Sequence, residues 1–365
     1  MANRKEVTSQ VFSNQRGFYE SDGQIVLKSN HSMSASDVIY SLITNKMGNE
    51  TATNCLDWWC DQRSTLLVLK VIVIALCVIG SFGNLITILA IVFSNLRRNV
   101  NCILIGSLSL AGFLYCSLIL SLQAVIFHRS TARMDGIFCQ ALGGLRYTLV
   151  GVIMVHLSVV AFYRYVNIVH LDLYHKLSSR TPLMVTILIS WTLPLPLTLP
   201  PAIGKWGAFC YQSAILACTY DSQHVDHSNR YMQVTLGFIV PCIFITFCYA
   251  RIGCVAYLSS KRISNWSSNA SQSKALRLSA MMLCIFSIFF LGTFPYFIIN
   301  VYDKEFRQPV HHLWSTIIAW VSYCLNPVVY TVMDTNFRTA YRRFLTGDCE
   351  RNPMRRRESS RRSHV

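Results

Sequence analysis

Seven long apolar stretches constrain the fold of this chain more than any other feature. A helix needs about 20 apolar residues to cross the hydrocarbon core of a bilayer. The stretches cover residues 66–94, 102–127, 137–163, 181–203, 231–258, 275–301 and 313–333. The fourth is the weakest because Pro194, Pro196, Pro200 and Pro201 crowd its end, although spanning helices tolerate proline. These stretches predict an all-α membrane protein built as a seven-transmembrane helix bundle.

The composition supports the same fold class. Only 14% of the 365 residues are charged and 52% are hydrophobic, whereas a soluble domain carries about 25% charged residues. The loops between the stretches are short, so residues 65–345 are predicted to form one membrane domain. A polar tail, 1–64, precedes it and a basic tail, 346–365, follows it. We find no internal repeat of the kind that transporters carry.

The basic residues predict the orientation of the bundle. Lys and Arg collect on the cytoplasmic side of membrane proteins. They are concentrated in alternate loops and after the last stretch, as in Arg97, Arg98, Lys261, Arg262, Arg342 and Arg343. We therefore predict a multi-pass plasma-membrane protein with an extracellular N-terminus. The net charge of +16 then acts at the inner lipid surface and does not indicate nucleic-acid binding.

Several short patterns lie in the two tails. There is no apolar signal-peptide core near Met1, so the first span is expected to act as the export signal. Asn30 and Asn49 begin glycosylation sequons. At the other end, Cys349 is a palmitoylation candidate, and Ser359 follows basic residues that suit a kinase. The last three residues fit a PDZ-domain ligand, although a tail without these functions is the alternative.

Cysteines are numerous, but most of the 14 lie inside the apolar stretches, where they behave as small apolar residues. Five lie on the predicted outer side: Cys55, Cys60, Cys139, Cys210 and Cys218. An exported surface is oxidising, so disulfides are expected there. An odd number leaves at least one of the five outside a bridge within the chain.

Landmark residues stand in, or directly after, six of the seven apolar stretches. They are Gly83, Asn84, Cys139, Arg164, Tyr165, Trp191, Pro241, Tyr249, Pro295, Asn326, Pro327 and Tyr330, and an amphipathic segment from Phe337 to Leu345 follows. In this order and spacing, residues 66–345 resemble the rhodopsin-like, or class A, G-protein-coupled receptors. The segments 199–207, 217–219 and 320–341 further resemble the insect receptor group that includes moody and trapped in endoderm.

The resemblance implies a role for each landmark. It implies a disulfide between Cys139 and Cys218, with Cys210 as a rival partner for Cys139 or as a partner of Cys55 or Cys60. It implies that Arg164, beside Tyr165, contacts a heterotrimeric G protein when the bundle opens. Asn326, Pro327, Tyr249 and Tyr330 match residues that take part in activation. It also implies an extracellular N-terminus and a short amphipathic eighth helix.

Three departures from the family pattern carry their own predictions. The family usually has an acidic residue directly before the arginine, and this chain has Tyr163 there. A second acidic residue often stands at the start of the sixth helix, where this chain has Ala275 and Leu276. A resting ion pair cannot form in the usual way, so basal signalling is predicted to exceed that of a receptor with both acids. The aspartate that binds sodium is replaced by Gly112, and we expect the Tyr323 ring to pack over it. Thr293 replaces a switch tryptophan, for which Phe290 or Phe294 could substitute.

Arg146 is the main candidate for ligand binding. It lies two turns below Cys139 on an otherwise apolar helix, and an ionisable residue at membrane depth indicates function by default. A guanidinium binds carboxylate or phosphate through two hydrogen bonds, so we predict an anionic, partly apolar ligand such as a fatty acid or lysophospholipid. The alternative is that Arg146 snorkels outward or pairs with an outer-loop acid. Further candidates for the pocket wall are Gln123, Tyr147, Tyr296 and Asn300.

Other function classes fit the sequence less well. A transporter or channel would place ionisable residues along a pore, and enzyme motifs such as HExxH and GxSxG do not occur. No cofactor is predicted. An opsin needs a lysine in the seventh helix, and residues 313–333 contain none. The serious alternative is a scavenger or adhesion-type receptor that does not signal, because the switch residues are so altered.

Overall fold

The computed structural model describes residues 18–21, 24–27, 63–129, 136–223, 227–262 and 270–346. Seven helices in this part of the chain are long and apolar enough to cross a membrane, which confirms the predicted bundle. In order they comprise Arg63–Val92; Val100–Leu114, Tyr115–Leu120 and Ser121–Arg129; Gly136–Val169; Arg180–Thr192 and Leu195–Ala202; Ser228–Val234, Thr235–Ile239 and Val240–Arg262; Ala270–Tyr302; and Pro309–Met333. The largest difference from the predicted ends is in the third helix, which continues to Val169 rather than 163.

Shorter elements complete the described structure. Strands β1 (Phe18–Ser21) and β2 (Gln24–Leu27) pair antiparallel within the unit Met1–Leu56. In the unit Asp57–Val365, strands β3 (Phe209–Gln212) and β4 (Ala217–Tyr220) form an antiparallel hairpin between the fourth and fifth helices. A loop helix, Leu171–Leu177, joins the third and fourth helices, and a terminal helix, Thr335–Leu345, follows the seventh. Single 3-10 turns cover Asn95–Arg98 and Ser213–Ile215.

The seven helices differ in how much of their surface is inside the bundle. In the first and fourth, only 22% of the most apolar stretch is buried, whereas in the third the figure is 56%. Large apolar side chains such as Leu67, Val78 and Phe82 are more than 60% exposed on the first helix. Such a face is a liability in water but matches lipid tails. The third helix is thus a central element, and it carries both Arg146 and Arg164.

Proline shapes the fourth helix as its sequence predicted. The helix is broken after Thr192, and its second piece begins at Leu195, directly after Pro194. Proline has no amide hydrogen and its ring clashes with the preceding turn. The second piece starts its own hydrogen bonding at Pro194, whose carbonyl accepts from the amides of Leu197 and Thr198 at 3.1 and 3.2 Å. Pro295 and Pro327, by contrast, lie inside continuous helices.

A partly buried hydrogen-bond relay joins the second, third and fourth helices. The indole N–H of Trp191 donates to the Ser107 hydroxyl at 3.0 Å, and Ser107 lies 2.8 Å from Nε2 of His156. The Nδ1 atom of His156 lies 2.8 Å from the carbonyl of Val152. A carbonyl can only accept, so Nδ1 carries the hydrogen and Nε2 accepts from Ser107. His156 is therefore a satisfied core residue.

Replacing His156 with Phe is expected to destabilise the bundle, since the partly buried Ser107 hydroxyl would lose its acceptor. An unsatisfied buried polar group costs about 1–3 kcal/mol. Each kcal/mol lost lowers the unfolding temperature by roughly 2–4 °C. Thermal unfolding of the purified protein measures this. Ser158→Ala is the control, because that half-buried hydroxyl bonds only within its own helix. Equal unfolding temperatures for the two variants would show that the relay contributes nothing.

Candidate functional site

A pinned hairpin covers one end of the bundle, called here the disulfide end. Cys139, in the first turn of the third helix, forms a disulfide with Cys218 in β4. All four residues of β4 are buried. A Cβ on Gly143 would lie 2.7 Å from the ring of Phe209, so only glycine there allows β3 to pack this close. The hairpin therefore forms a lid over the residues below it on the third helix.

Cys210 is not the partner of Cys139. It lies in β3 and forms no disulfide with a described cysteine, and the alternative partners Cys55 and Cys60 lie outside the described residues. Burial raises the pKa of the Cys210 thiol to about 12, with the nearby Asp221 carboxyl acting in the same direction. The thiol is therefore protonated at neutral pH and is a poor nucleophile.

Arg146 lies beneath this lid and is only 5% exposed. Its guanidinium carbon stands 5.5 Å from the ring centre of Trp320 on the seventh helix, in cation–π geometry. No salt bridge links Arg146 to any described carboxylate, and the seven helices contain no Asp or Glu. The alternatives that it snorkels outward or pairs with an acid therefore find no support in the described part of the chain.

Aromatic hydroxyls surround the guanidinium. The Tyr147 hydroxyl lies 2.9 Å from the hydroxyl of Tyr296 and 2.8 Å from that of Thr219 in the lid. The indole N–H of Trp320 donates to the Tyr115 hydroxyl at 3.0 Å. Tyr115 and Arg146 line the same cavity. These neutral groups solvate the cation without cancelling its charge.

The cavity beside Arg146, called here the Arg146 pocket, has a volume of about 30 Å³. Its wall includes the predicted residues Tyr147 and Tyr296, and a polar side chain that the sequence analysis missed, Gln233. Two other missed residues are Tyr115 and Trp320. Trp320 lies three residues before Tyr323, and the spacing of one helical turn was the available signal for its position.

Gln123 and Asn300, the remaining predicted pocket residues, line a separate cavity of about 10 Å³ that also reaches Arg146. Their amide groups are already engaged. Gln123 donates to the carbonyl of Leu216 at 2.7 Å, and Asn300 donates to that of Tyr296 at 2.8 Å. Gln123 thus anchors the lid, and its amide nitrogen is committed to that contact.

A larger cavity of about 360 Å³ lies at the opposite end of the bundle and is called here the Arg164 cavity. Arg164 lines it and is 1% exposed. No described residue accepts a hydrogen bond from Nε, Nη1 or Nη2 of this side chain. The buried Tyr249 acts on Arg164 electrostatically, whereas Tyr165 points away, to His170 at 3.1 Å. The structure thus gathers Arg164 and Tyr249 but not Tyr165.

The predicted activation residues of the seventh helix flank the same end. Asn326 and Pro327 are buried, and Tyr330 is fully buried with its ring stacked on Phe337 of the terminal helix at 5.2 Å. Tyr163 does not replace an acid. Its hydroxyl donates to the carbonyl of Leu177 at 3.2 Å, which ties the third helix to the loop helix.

The family model described as "7 transmembrane receptor (rhodopsin family)" matches residues 83–330. The chain belongs to the rhodopsin family of seven-transmembrane receptors. The receptor is 26% identical to the G-protein coupled receptor moody of Drosophila melanogaster, over 77% of this chain and 51% of moody. It therefore spans about half the length of that relative.

Two further relatives are of similar distance. Protein trapped in endoderm-1 of Drosophila melanogaster is 28% identical over 72% of the receptor and 73% of the relative. Melatonin receptor type 1C of Gallus gallus is 29% identical over 76% of the receptor and 81% of that relative. Squid rhodopsin shares the fold, with a TM-score of 0.66 and 19% identity over 81% of the receptor and 91% of the rhodopsin chain. The resemblance to the moody and trapped-in-endoderm group is confirmed.

The aromatic residues of the sixth helix form a stack in place of the missing tryptophan. Thr293 is buried, and its hydroxyl donates to the carbonyl of Phe289 within its own helix at 2.6 Å. Phe290 stacks on Phe238 of the fifth helix, with ring centres 5.9 Å apart. Phe294 is 43% exposed. Of the two proposed substitutes, Phe290 therefore makes the contact between helices.

The space at Gly112 is filled differently from the sequence-based expectation. A Cβ on Gly112 would lie 2.9 Å from Oδ1 of Asn84, and the three nearest atoms all belong to Asn84. The Tyr323 ring packs instead against Tyr115, with ring centres 4.6 Å apart. The expectation for Tyr323 was wrong because the neighbouring amide is closer to the glycine and already occupies the space.

Ligand affinity and thermal stability of the receptor are expected to be the same in sodium and potassium chloride. The reason is that Gly112 supplies no carboxylate and Asn84 fills its place, while Na⁺ requires oxygen ligands of high charge density. Unfolding temperature at equal ionic strength checks this directly. A reproducible increase in sodium alone would contradict it. Gly112→Asp would not restore a site simply, because its Cβ would clash with Asn84.

Several candidate modification sites lie outside the described residues. They are Asn30, Asn49, Cys349 and Ser359, together with the C-terminal Ser363, His364 and Val365. Glycosylation, palmitoylation, phosphorylation and PDZ-domain binding at these positions stay predictions.

Proposed function

We propose that the receptor binds a small anionic, partly apolar molecule in the Arg146 pocket and passes the signal to a heterotrimeric G protein at the Arg164 end. Membership of the family supports receptor signalling in general. The observation that carries the ligand class is the buried Arg146 guanidinium, which neutral tyrosines surround. A buried cation without a counter-charge is costly, and an anionic ligand would relieve that cost.

The size of the pocket favours a compact ligand. Its volume of about 30 Å³ corresponds to about two water molecules, since one occupies roughly 10–15 Å³ on this measure. A carboxylate or phosphate group with a short apolar part requires little rearrangement. A long acyl chain requires the helices or the lid to move. The sequence predicted fatty acids or lysophospholipids as ligands. These long-chain molecules would fit only if the pocket opened further.

The proposal also fixes the orientation. The disulfide end, with its lid, faces the outside of the plasma membrane, and the Arg164 end faces the cytoplasm. The basic loops at the Arg164 end support this assignment through the positive-inside rule, and the extracellular side is the compartment in which a disulfide persists. The polar tail 1–64 is then extracellular and the basic tail 346–365 cytoplasmic.

A panel of matched compounds tests the ligand class. The panel is divided into sets of compounds that share one apolar part, which is short in some sets and long in others. Each set contains a carboxylate or phosphate, the uncharged alcohol or amide, and the corresponding amine. The purified receptor in lipid nanodiscs is assayed for thermal stabilisation and for nucleotide exchange on purified heterotrimers. The proposal expects stabilisation and exchange with anions only. Equal effects of the uncharged analogue, or effects of the amine, would contradict it.

The same assay separates the second candidate function, a non-signalling scavenger or adhesion-type receptor. The observation in its favour is the loss of the family's switch residues, with Thr293 bonded only to its own helix. That function expects an anion to stabilise the receptor without nucleotide exchange on any heterotrimer. Anion-dependent exchange would exclude it.

A further inference from the structure

The Arg164 side chain has an unmet electrostatic requirement. It is 1% exposed, and none of its three nitrogens donates to a described residue. Removing a cation from water without hydrogen bonds or a counter-charge costs several kcal/mol. The side chains that act on it from nearby include Tyr249 and Tyr174, which are neutral phenols. A stable resting state therefore requires a negative charge from elsewhere.

The positions that supply this charge in related receptors do not supply it here. Tyr163 precedes the arginine, and its hydroxyl bonds to Leu177. Ala275 and Leu276 stand at the start of the sixth helix. Among the described residues at this end of the bundle, two carboxylates occur, Asp172 and Asp334. Asp172 is exposed on the loop helix, whereas Asp334 is 7% exposed.

Asp334 lies where a counter-charge is needed. It lines the same 360 Å³ cavity as Arg164, and its charge reaches the guanidinium more weakly than the influence of Tyr249, the strongest of the nearby groups. It is held rigidly, since its Oδ1 accepts from the backbone and side-chain nitrogens of Asn336 at 2.7 and 2.9 Å. The two side chains form no direct salt bridge. The attraction therefore acts across the cavity rather than through a direct contact.

We infer that Asp334, at the junction of the seventh helix and the terminal helix, is the counter-charge of Arg164 in the resting receptor. It replaces, from a different helix, the acids missing beside Arg164 and on the sixth helix. The pairing ties the third helix to the end of the seventh. Its regulatory consequence, which rests on the proposed function, is that loss of Asp334 releases Arg164 and raises G-protein activation without ligand.

A double-mutant cycle tests the pairing without any signalling assay. Asp334→Asn is expected to lower the unfolding temperature of the purified receptor by roughly 2–4 °C. In the Arg164→Gln background the same substitution should have almost no effect. Asp172→Asn removes a carboxylate from the same end and should leave both backgrounds unchanged. An Asp334→Asn effect that is equal in both backgrounds, or absent from both, would overturn the inference.

A second comparison separates charge from helix capping. Asn is as good an N-terminal cap as Asp, whereas Glu is not among the preferred caps. The counter-charge role predicts that Asp334→Glu retains more stability than Asp334→Asn. A capping role alone predicts the opposite order and would overturn the inference. Because Asn preserves the cap, Asp334→Asn is expected to yield folded protein.

Nucleotide exchange without ligand then tests the consequence. Asp334→Asn is expected to raise it about 3-fold or more relative to wild type, because the resting state loses a stabilising interaction. If the cycle shows coupling but neither protein activates any heterotrimer, the proposed signalling function fails and the pairing stands. If wild type activates and Asp334→Asn does not exceed it, the regulatory consequence is wrong.

Discussion

Replacing Arg146 with alanine is expected to weaken the response to an anionic agonist at least about 100-fold, with the amount of receptor at the cell surface unchanged. The substitution would remove two charge-assisted hydrogen bonds between the guanidinium and the anionic group of the ligand. At about 1.5 kcal/mol each, their loss corresponds to a weakening of about 100-fold. Folding should survive, because the guanidinium has no ionic partner among the described residues and contributes mainly a ring contact with Trp320.

Two variants sharpen this experiment. Arg146→Lys keeps the charge but loses the planar fork, so an intermediate loss is expected. Arg307→Ala is the matched control, since that arginine is exposed at the same end and pairs with Glu305 at 2.6 Å. It should respond like wild type. Equal losses in Arg146→Ala and Arg307→Ala would show that general electrostatics, rather than a specific site, governs binding.

Replacing Arg164 with alanine is expected to abolish G-protein activation while ligand binding persists. The guanidinium lines a cavity of about 360 Å³ and has no hydrogen-bond acceptor among the described residues. It is therefore available to a partner that enters when the bundle opens. Anionic-ligand binding by purified Arg164→Ala, measured as thermal stabilisation, is the internal control. Loss of both activities would indicate misfolding and would not support a role in coupling.

Much of the fold followed from the sequence because lipid leaves few alternatives. A continuous apolar run must satisfy its own backbone, so length and hydropathy were enough to place seven helices. The end of the third helix was less predictable. Polar and aromatic residues such as Arg164 and Tyr165 ended the apolar pattern, but the helix continues beyond them to Val169, because backbone bonding does not depend on side-chain polarity.

The site was predictable in its charges but not in its contacts. Arg146 stood out because a cation at membrane depth is rare. The ring beneath it, Trp320, comes from another helix, and no local pattern indicates which faces meet. The same limit explains the error at Gly112, where Asn84 rather than Tyr323 fills the space. It also explains why Asp334, 170 residues from Arg164, was not associated with it from the sequence.

The central claim is that this receptor signals through Arg164, and unliganded nucleotide exchange tests it most directly. Wild-type receptor and Arg164→Ala, both purified in lipid nanodiscs and shown to be folded, are incubated with a panel of purified heterotrimers. We expect wild type to accelerate exchange on at least one heterotrimer and Arg164→Ala to fall to the rate of empty nanodiscs. Exchange of equal rate with both proteins would contradict the role of Arg164. Rates at the empty-disc level for both, persisting with every anionic compound of the panel, would contradict signalling itself.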